Sequence, residues 1–163
     1  RGARVVAIDK SHAALDRARL AGADVRLDVH YDDVVRETRR FGGNGVDLSV
    51  DAIGSVDAAR HAVESLRRGG RHVQIGLLPP AVVGERATVP MHLVIAYELS
   101  VHGSHGMAAV DYPAMLSDIT TGRLRPDLLI ERIIELDEVP SALTDIGDNP
   151  KPGVTIIRPN QHA

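Results

Sequence analysis

The sequence predicts an α/β fold built on a parallel sheet with helices on both faces. Three observations carry that expectation. Residues 4–77 alternate strand-like and helix-like segments three times over. The strand-like segments are short runs rich in β-branched residues, the pattern of strands covered on both faces. Each helix-like segment starts after a Ser or Asp and ends at glycine. Right-handed crossovers turn such alternation into a doubly wound sheet.

The elements follow in order. "RVVAID" (4–9) reads as a fully buried strand, and Ser11 as the N-cap of the helix after it. Ala14, Leu15, Ala18 and Ala21 recur at helical spacing, and Gly22 ends that helix. "VRLDV" (25–29) is a weaker strand. Asp32 and Asp33 open a helix to about Arg40, closed by "GGNG" (42–45). "VDLSVDAIG" (46–54) is the next strand, with Ser55 capping a helix through Arg68. Gly69-Gly70 turns the chain into the strand "RHVQIGL" (71–77). Pro79-Pro80 interrupts the rhythm. Beyond it come a short helix "MHLVIAYE" (91–98), "LSVHGS" (99–104) and a helix at 111–121. A strand "RIIEL" (132–136), a helix from Asp137 and a last strand "VTIIR" (154–158) complete the pattern.

Composition narrows the function. The 163 residues are 44% hydrophobic and 25% charged, ordinary for a globular domain. No apolar run approaches the ~20 residues of a membrane span, and the N-terminus carries no cleavable signal pattern. A cytoplasmic location and no membrane partner are therefore expected. The net charge is −3, aromatics are 2% and Trp is absent. This composition offers nucleic acid neither a basic face nor stacking platforms. The pairs Arg39-Arg40 and Arg67-Arg68 are expected at helix ends, where they complement the helix dipole. There is no cysteine, so thiolate metal ligands are excluded. Among eight histidines, His102 and His105 are three apart, a spacing that points to opposite faces of a strand. No metal site is expected in this chain.

Asp9 ends a strand and precedes a helix, the position where parallel-sheet nucleotide-binding proteins hold a ribose. The segments "AIDKSHAALDRARLAGAD", "VDLSVDAIGS", "LRRGGRHVQIGL", "ELSVHGSHGM" and "YPAMLSDITTGRLRPDLLI…ELDEVPSAL" resemble the zinc-dependent medium-chain alcohol dehydrogenases, in that family's order and spacing. The resemblance covers essentially the whole chain. It implies a Rossmann-like doubly wound sheet whose first strand and G-x-G-x-x-G fingerprint lie upstream of residue 1. It also implies an upstream catalytic domain carrying the zinc ligands. Residues 1–105 would then be a partial dinucleotide-binding domain. Residues 106–163 would return to complete the catalytic domain.

Site residues follow from the same resemblance. Asp9 would accept hydrogen bonds from both adenosine ribose hydroxyls and repel a 2′-phosphate, which makes NADP a less favoured cofactor than NAD. Lys10 beside it could tolerate phosphate. Ala52 and Ile53 match strand-end positions beside the adenosine, whereas Asp51 before them has no assigned role. Ile75, Gly76 and Leu77 match the strand end beside the nicotinamide. Gly76 would let the backbone approach the ring, and backbone groups there would fix the carboxamide. His105, in "GSHGM", would contact the nicotinamide end. An arginine common near the family's last strand is replaced by Val154, so one pyrophosphate contact is not expected.

The function implied is hydride transfer between a small alcohol and a carbonyl (an aldehyde or ketone) in a full-length homodimer or homotetramer. Zinc would act there as Lewis acid. No catalytic residue is expected in this chain, which is expected to be inactive alone. Two other functions share parts of the pattern. An S-adenosylmethionine methyltransferase also places an acid after its second strand, but is expected to end in an antiparallel strand pair. A non-catalytic dinucleotide-binding module would need only the cofactor residues.

Overall fold

The computed structural model describes residues 2–84, 89–148 and 152–159. Local sequence sets the first turn of the fold. β1 (Val6–Asp9) hands over to α1 (His12–Leu20) because the Ser11 hydroxyl accepts from the Ala14 amide at 3.3 Å. That bond satisfies one of the donors a helix start leaves unpaired. β2 (Val25–Asp28) lies parallel to β1, with Val6 opposite Val25 and Asp9 opposite Asp28. β1 is half-buried rather than fully buried, and Val5 just before it is exposed. Its side chains match a covered strand, but β2 is its one partner among the described residues.

α2 (Val34–Phe41) begins at Asp33, whose carboxylate accepts from the Arg36 amide at 3.1 Å. β3 (Val46–Asp51) leads through the Ser55 cap to α3 (Val56–Glu64). The helix stops four residues short of the expected Arg68, and β4 runs over Leu66–Gln74. Arg67 and Arg68 therefore sit in a strand, not at a helix end. The cause is tertiary. Val46 of β3 pairs with Leu66, and the register then slips to Leu48 opposite Arg71, with Arg67–Gly70 taken up as a bulge. Arg67 pairs with Asp47 at 2.6 Å, while Arg68 lies over the Tyr97 ring, 5.9 Å from its centroid.

Arg39 does occupy the last turn of α2, but it does more than face a dipole. Its guanidinium donates to the carbonyls of Glu64 (3.1 Å), Leu66 (2.7 Å) and Asn44 (3.2 Å). This fork clamps the α3–β4 junction to the end of α2. Arg39→Ala should destabilise the protein by about 1.5–3 kcal/mol, the value of a hydrogen bond to a charged group. Lysine should recover little, because an ammonium cannot reproduce the planar fork. Urea denaturation of the three proteins checks both statements.

After Pro79 a single helical turn, α4 (Pro80–Val83), starts with Pro80, a residue suited to a helix's first position. α5 (Met91–Ala96) and β5 (Ser100–Gly103) follow, and β5 pairs parallel with β4. α6 (Tyr112–Thr120), β6 (Ile130–Glu135), α7 (Val139–Asp148) and β7 (Val154–Arg158) complete the chain, and β6 and β7 are again parallel. Arg125 forks onto Asp127 at 2.9 and 2.7 Å and holds that carboxyl below the usual range. Every strand pair among the described residues is parallel. The antiparallel ending expected of a methyltransferase is not among them.

The chain forms two units. One comprises residues up to His30 together with those from Ala108 onward; the other is Tyr31–Met107. In the first, α1 packs on β1 and β2, and Arg17 reaches the Leu128 carbonyl (3.3 Å) and pairs with Glu131. In the second, the sheet order is β3-β4-β5, with α3 packed on β3 and β4. Val63, Leu66 and Leu99 form its buried cluster, flanked by Val46, Val94 and Tyr97.

Candidate functional site

In the second unit the three parallel strands finish in one row. Asp51 lies opposite Gln74, and Gln74 opposite Gly103. The residues just beyond this row are those the sequence singled out. Ala52 and Ile53 follow β3, Ile75–Leu77 follow β4, and His105 follows β5. All of them lie beyond the strand ends rather than within the strands. The carboxyl edge of a parallel sheet is where open α/β folds receive ligands.

The turns after β3 and β4 touch. Gly54, at φ +80°, and Gly76 approach so closely that a Cβ on Gly76 would fall on the Gly54 amide. A Cβ on Gly54 would meet the Leu77 carbonyl. The missing side chain of Gly76 thus serves backbone packing. Around this contact Ile53 (64% exposed), Ile75 and Leu77 (75% exposed) present apolar surface.

Asp51 explains why the two turns are held together. It is 3% exposed, and its Oδ1 accepts from the amides of Ile53 (2.8 Å) and Gly54 (3.0 Å). Its main-chain carbonyl accepts from the amides of Ile75 (2.8 Å) and Gly76 (2.9 Å). Its Oδ2 accepts from Nε2 of Gln74 at 2.7 Å, and the same amide group donates to the Gly76 carbonyl at 2.9 Å. Gln74 Oε1 faces Nε2 of His72 (3.1 Å), and Nδ1 of His72 faces the Ser49 hydroxyl (3.0 Å). His72 is completely buried. Both Gly76 O and Asp51 Oδ2 are acceptors, so the Gln74 amide is oriented and His72 Nε2 must carry a hydrogen. In the neutral ring Nδ1 then accepts from Ser49.

Within the turn, the Gly76 amide and carbonyl are both engaged. The Ile75 carbonyl and the Leu77 amide have no hydrogen-bond partner among the described residues. They leave one acceptor and one donor open at the strand ends. Sequence reasoning missed Ser49, His72 and Gln74. Their i, i+2 spacing, S-x-D and H-x-Q, was the available signal, since it puts all four polar groups on one face of paired strands.

In the first unit Asp9 closes β1, half-buried, with Oδ1 accepting from the Ser11 amide at 2.8 Å. Lys10 is exposed. Asp28, opposite Asp9, is buried. Its Oδ1 accepts from the His30 amide (2.9 Å), and its Oδ2 lies 3.5 Å from Nε2 of His12. Two carboxylates thus stand at neighbouring strand ends. Among the described residues no three His, Asp or Glu side chains converge as a metal would require.

Parallel strands joined through helices, in sheets of order β1-β2, β3-β4-β5 and β6-β7, define the α/β class. Within that class, residues 1–121 match the model of the zinc-binding dehydrogenases, and the chain belongs to that family. An alcohol dehydrogenase of Cupriavidus necator is 28% identical over 166 residues, covering 97% of this chain and 43% of that protein. An NAD-dependent alcohol dehydrogenase of Sulfurisphaera tokodaii is 24% identical over 159 residues, covering 97% of this chain and 44% of that protein. The crystal structure of 2R,3R-butanediol dehydrogenase from Bacillus subtilis shares the fold. It has a TM-score of 0.83 at 24% identity, over 96% of this chain and 44% of that one. The chain spans less than half the length of each of these relatives. No helix among the described residues is long and apolar enough to cross a membrane.

Proposed function

We propose that this chain is the NAD-binding, C-terminal part of a zinc-dependent alcohol dehydrogenase acting on a small alcohol or carbonyl compound. The observation that carries this reading is the pair of turns at 52–54 and 75–77, with an open carbonyl and amide among exposed aliphatic side chains. Family membership and the named relatives support it. The division into a cofactor part to residue 105 and a returning segment from 106 belongs to the same proposal.

Each residue has a task in it. Asp9 accepts from the ribose hydroxyls, and Asp28 beside it adds to the repulsion of a 2′-phosphate. Ile53 flanks the adenosine. The Ile75 carbonyl accepts from the carboxamide NH2, and the Leu77 amide donates to its oxygen. Those two bonds fix which face of the nicotinamide meets the substrate, with His105 on the same strand edge. The bound nicotinamide supplies the hydride acceptor. Zinc, in this reading, is held by residues outside this chain. Self-pairing of the β5 edge across a two-fold axis is the proposed route to a dimer.

The test is turnover by the full-length protein with primary alcohols, secondary alcohols and polyols. NADH formation, abolished by metal chelation and restored by zinc, is the expected result. Absence of both turnover and NADH binding would overturn the proposal.

A further inference from the structure

Gln74 lies next to the proposed nicotinamide turn but does not belong to it. It is the last residue of β4, its amide bridges Asp51 Oδ2 and the Gly76 carbonyl, and its Oε1 rests on the buried His72. A polar chain Ser49–His72–Gln74–Asp51 thus crosses two strands and ends on the two turns at once. Its two ends do different things. Asp51 Oδ1 holds the 52–54 turn through the Ile53 and Gly54 amides. Gln74 holds the 75–77 turn through one carbonyl, that of Gly76.

That carbonyl matters because a peptide group is planar. Fixing Gly76 O fixes the peptide plane shared by Gly76 and Leu77, and therefore the direction of the Leu77 N–H. We propose that Gln74 is a positioning residue for the nicotinamide carboxamide. By holding the Gly76 carbonyl it aims the Leu77 amide, one of the two groups left open in the turn. This rests on the dinucleotide-binding reading above and refines it to one half of the cofactor. The adenosine side, anchored by Asp51 Oδ1, does not depend on Gln74. Buried His72 fits the same orientation, since its Nε2–H donates to Gln74 Oε1 while the amide nitrogen faces Asp51 Oδ2 and Gly76 O.

A double substitution separates positioning from stability. Asp51→Asn together with Gln74→Glu keeps one carboxylate in the pair. The introduced amide at 51 can still accept from Ile53 and Gly54 and can donate to the introduced carboxylate at 74. That carboxylate can still accept from His72. The donor to Gly76 O is lost, and a carboxylate oxygen takes its place facing that carbonyl, so the carbonyl is both released and repelled. In the full-length protein, NADH affinity should fall by about tenfold, the factor one well-made hydrogen bond can carry. ADP-ribose, which lacks the nicotinamide, should bind within about twofold of wild type. Gln74→Met, which removes the amide without adding charge, should show the same split between the two ligands. Both variants should stay folded at the assay temperature, with a lowered thermal midpoint, because buried Asp51 and His72 lose or exchange partners.

An unchanged NADH affinity would overturn the inference. So would an equal loss for NADH and ADP-ribose, or failure of both variants to fold, either of which makes the chain a stability element only. If wild type itself bound neither ligand, the dinucleotide-binding reading would fall first, so the two failures are distinguishable.

Discussion

On the proposed cofactor reading, replacing Asp9 with glycine in the full-length protein is expected to weaken NAD by about tenfold or more and to shift preference toward NADP. Hydrogen bonds to a charged group are worth roughly 1.5–3 kcal/mol, and ~1.4 kcal/mol is a factor of ten. Losing even one ribose contact therefore reaches that size. NADP should lose less, because the charge that repels its phosphate goes too, and Lys10 can then pair with the phosphate. Asp9→Asn is the informative companion. Asp9 Oδ1 already accepts from the Ser11 amide, and the amide oxygen of asparagine can keep that bond. The glycine variant removes turn support and charge together; the asparagine variant removes chiefly the charge. The ratio of kcat/KM for NAD and NADP should move in the same direction for both, and further for glycine. A ratio unchanged in both would mean that Asp9 does not face the ribose.

The second large effect is at the touching turns. Gly54→Ala must place a Cβ against the Leu77 carbonyl from a backbone at φ +80°. The left-handed conformation costs about 1–2 kcal/mol for a residue with a Cβ, and backbone-level overpacking a further ~1–3 kcal/mol. A loss of about 2–5 kcal/mol is expected from these two sources. Gly76→Ala is expected to lose less, because it incurs the clash with the Gly54 amide without that conformational cost. Chemical denaturation of the full-length protein measures both. A loss below ~1 kcal/mol for Gly54→Ala, the range of a tolerated surface change, would mean that the turns separate easily. NADH affinity should fall in both variants, since the open carbonyl and amide lie within the displaced turn.

Much of this protein was legible in one dimension because the decisive interactions are local. Ser11, Asp33 and Ser55 cap the helices they precede, and a cap needs only its own next three residues. "VTIIR" is a strand over the residues expected, 154–158. The ordered segments that resemble zinc-dependent alcohol dehydrogenases identified the family that residues 1–121 match.

Tertiary structure decided the rest, wherever a segment's fate depended on a distant partner. Residues 65–70 have no strong strand signal. They leave the helix because Val46 pairs with Leu66 and Arg39, from another helix, takes the Glu64 and Leu66 carbonyls. Asp51 had no legible role because its partners are split between its own turn and a strand 23 residues away. Gly76 lacks a Cβ because Gly54 lies against it, a contact that no periodicity records. Local capping and side-chain alternation are written in the chain; the register of two parallel strands, and the polar groups it brings face to face, exist only once those strands have met.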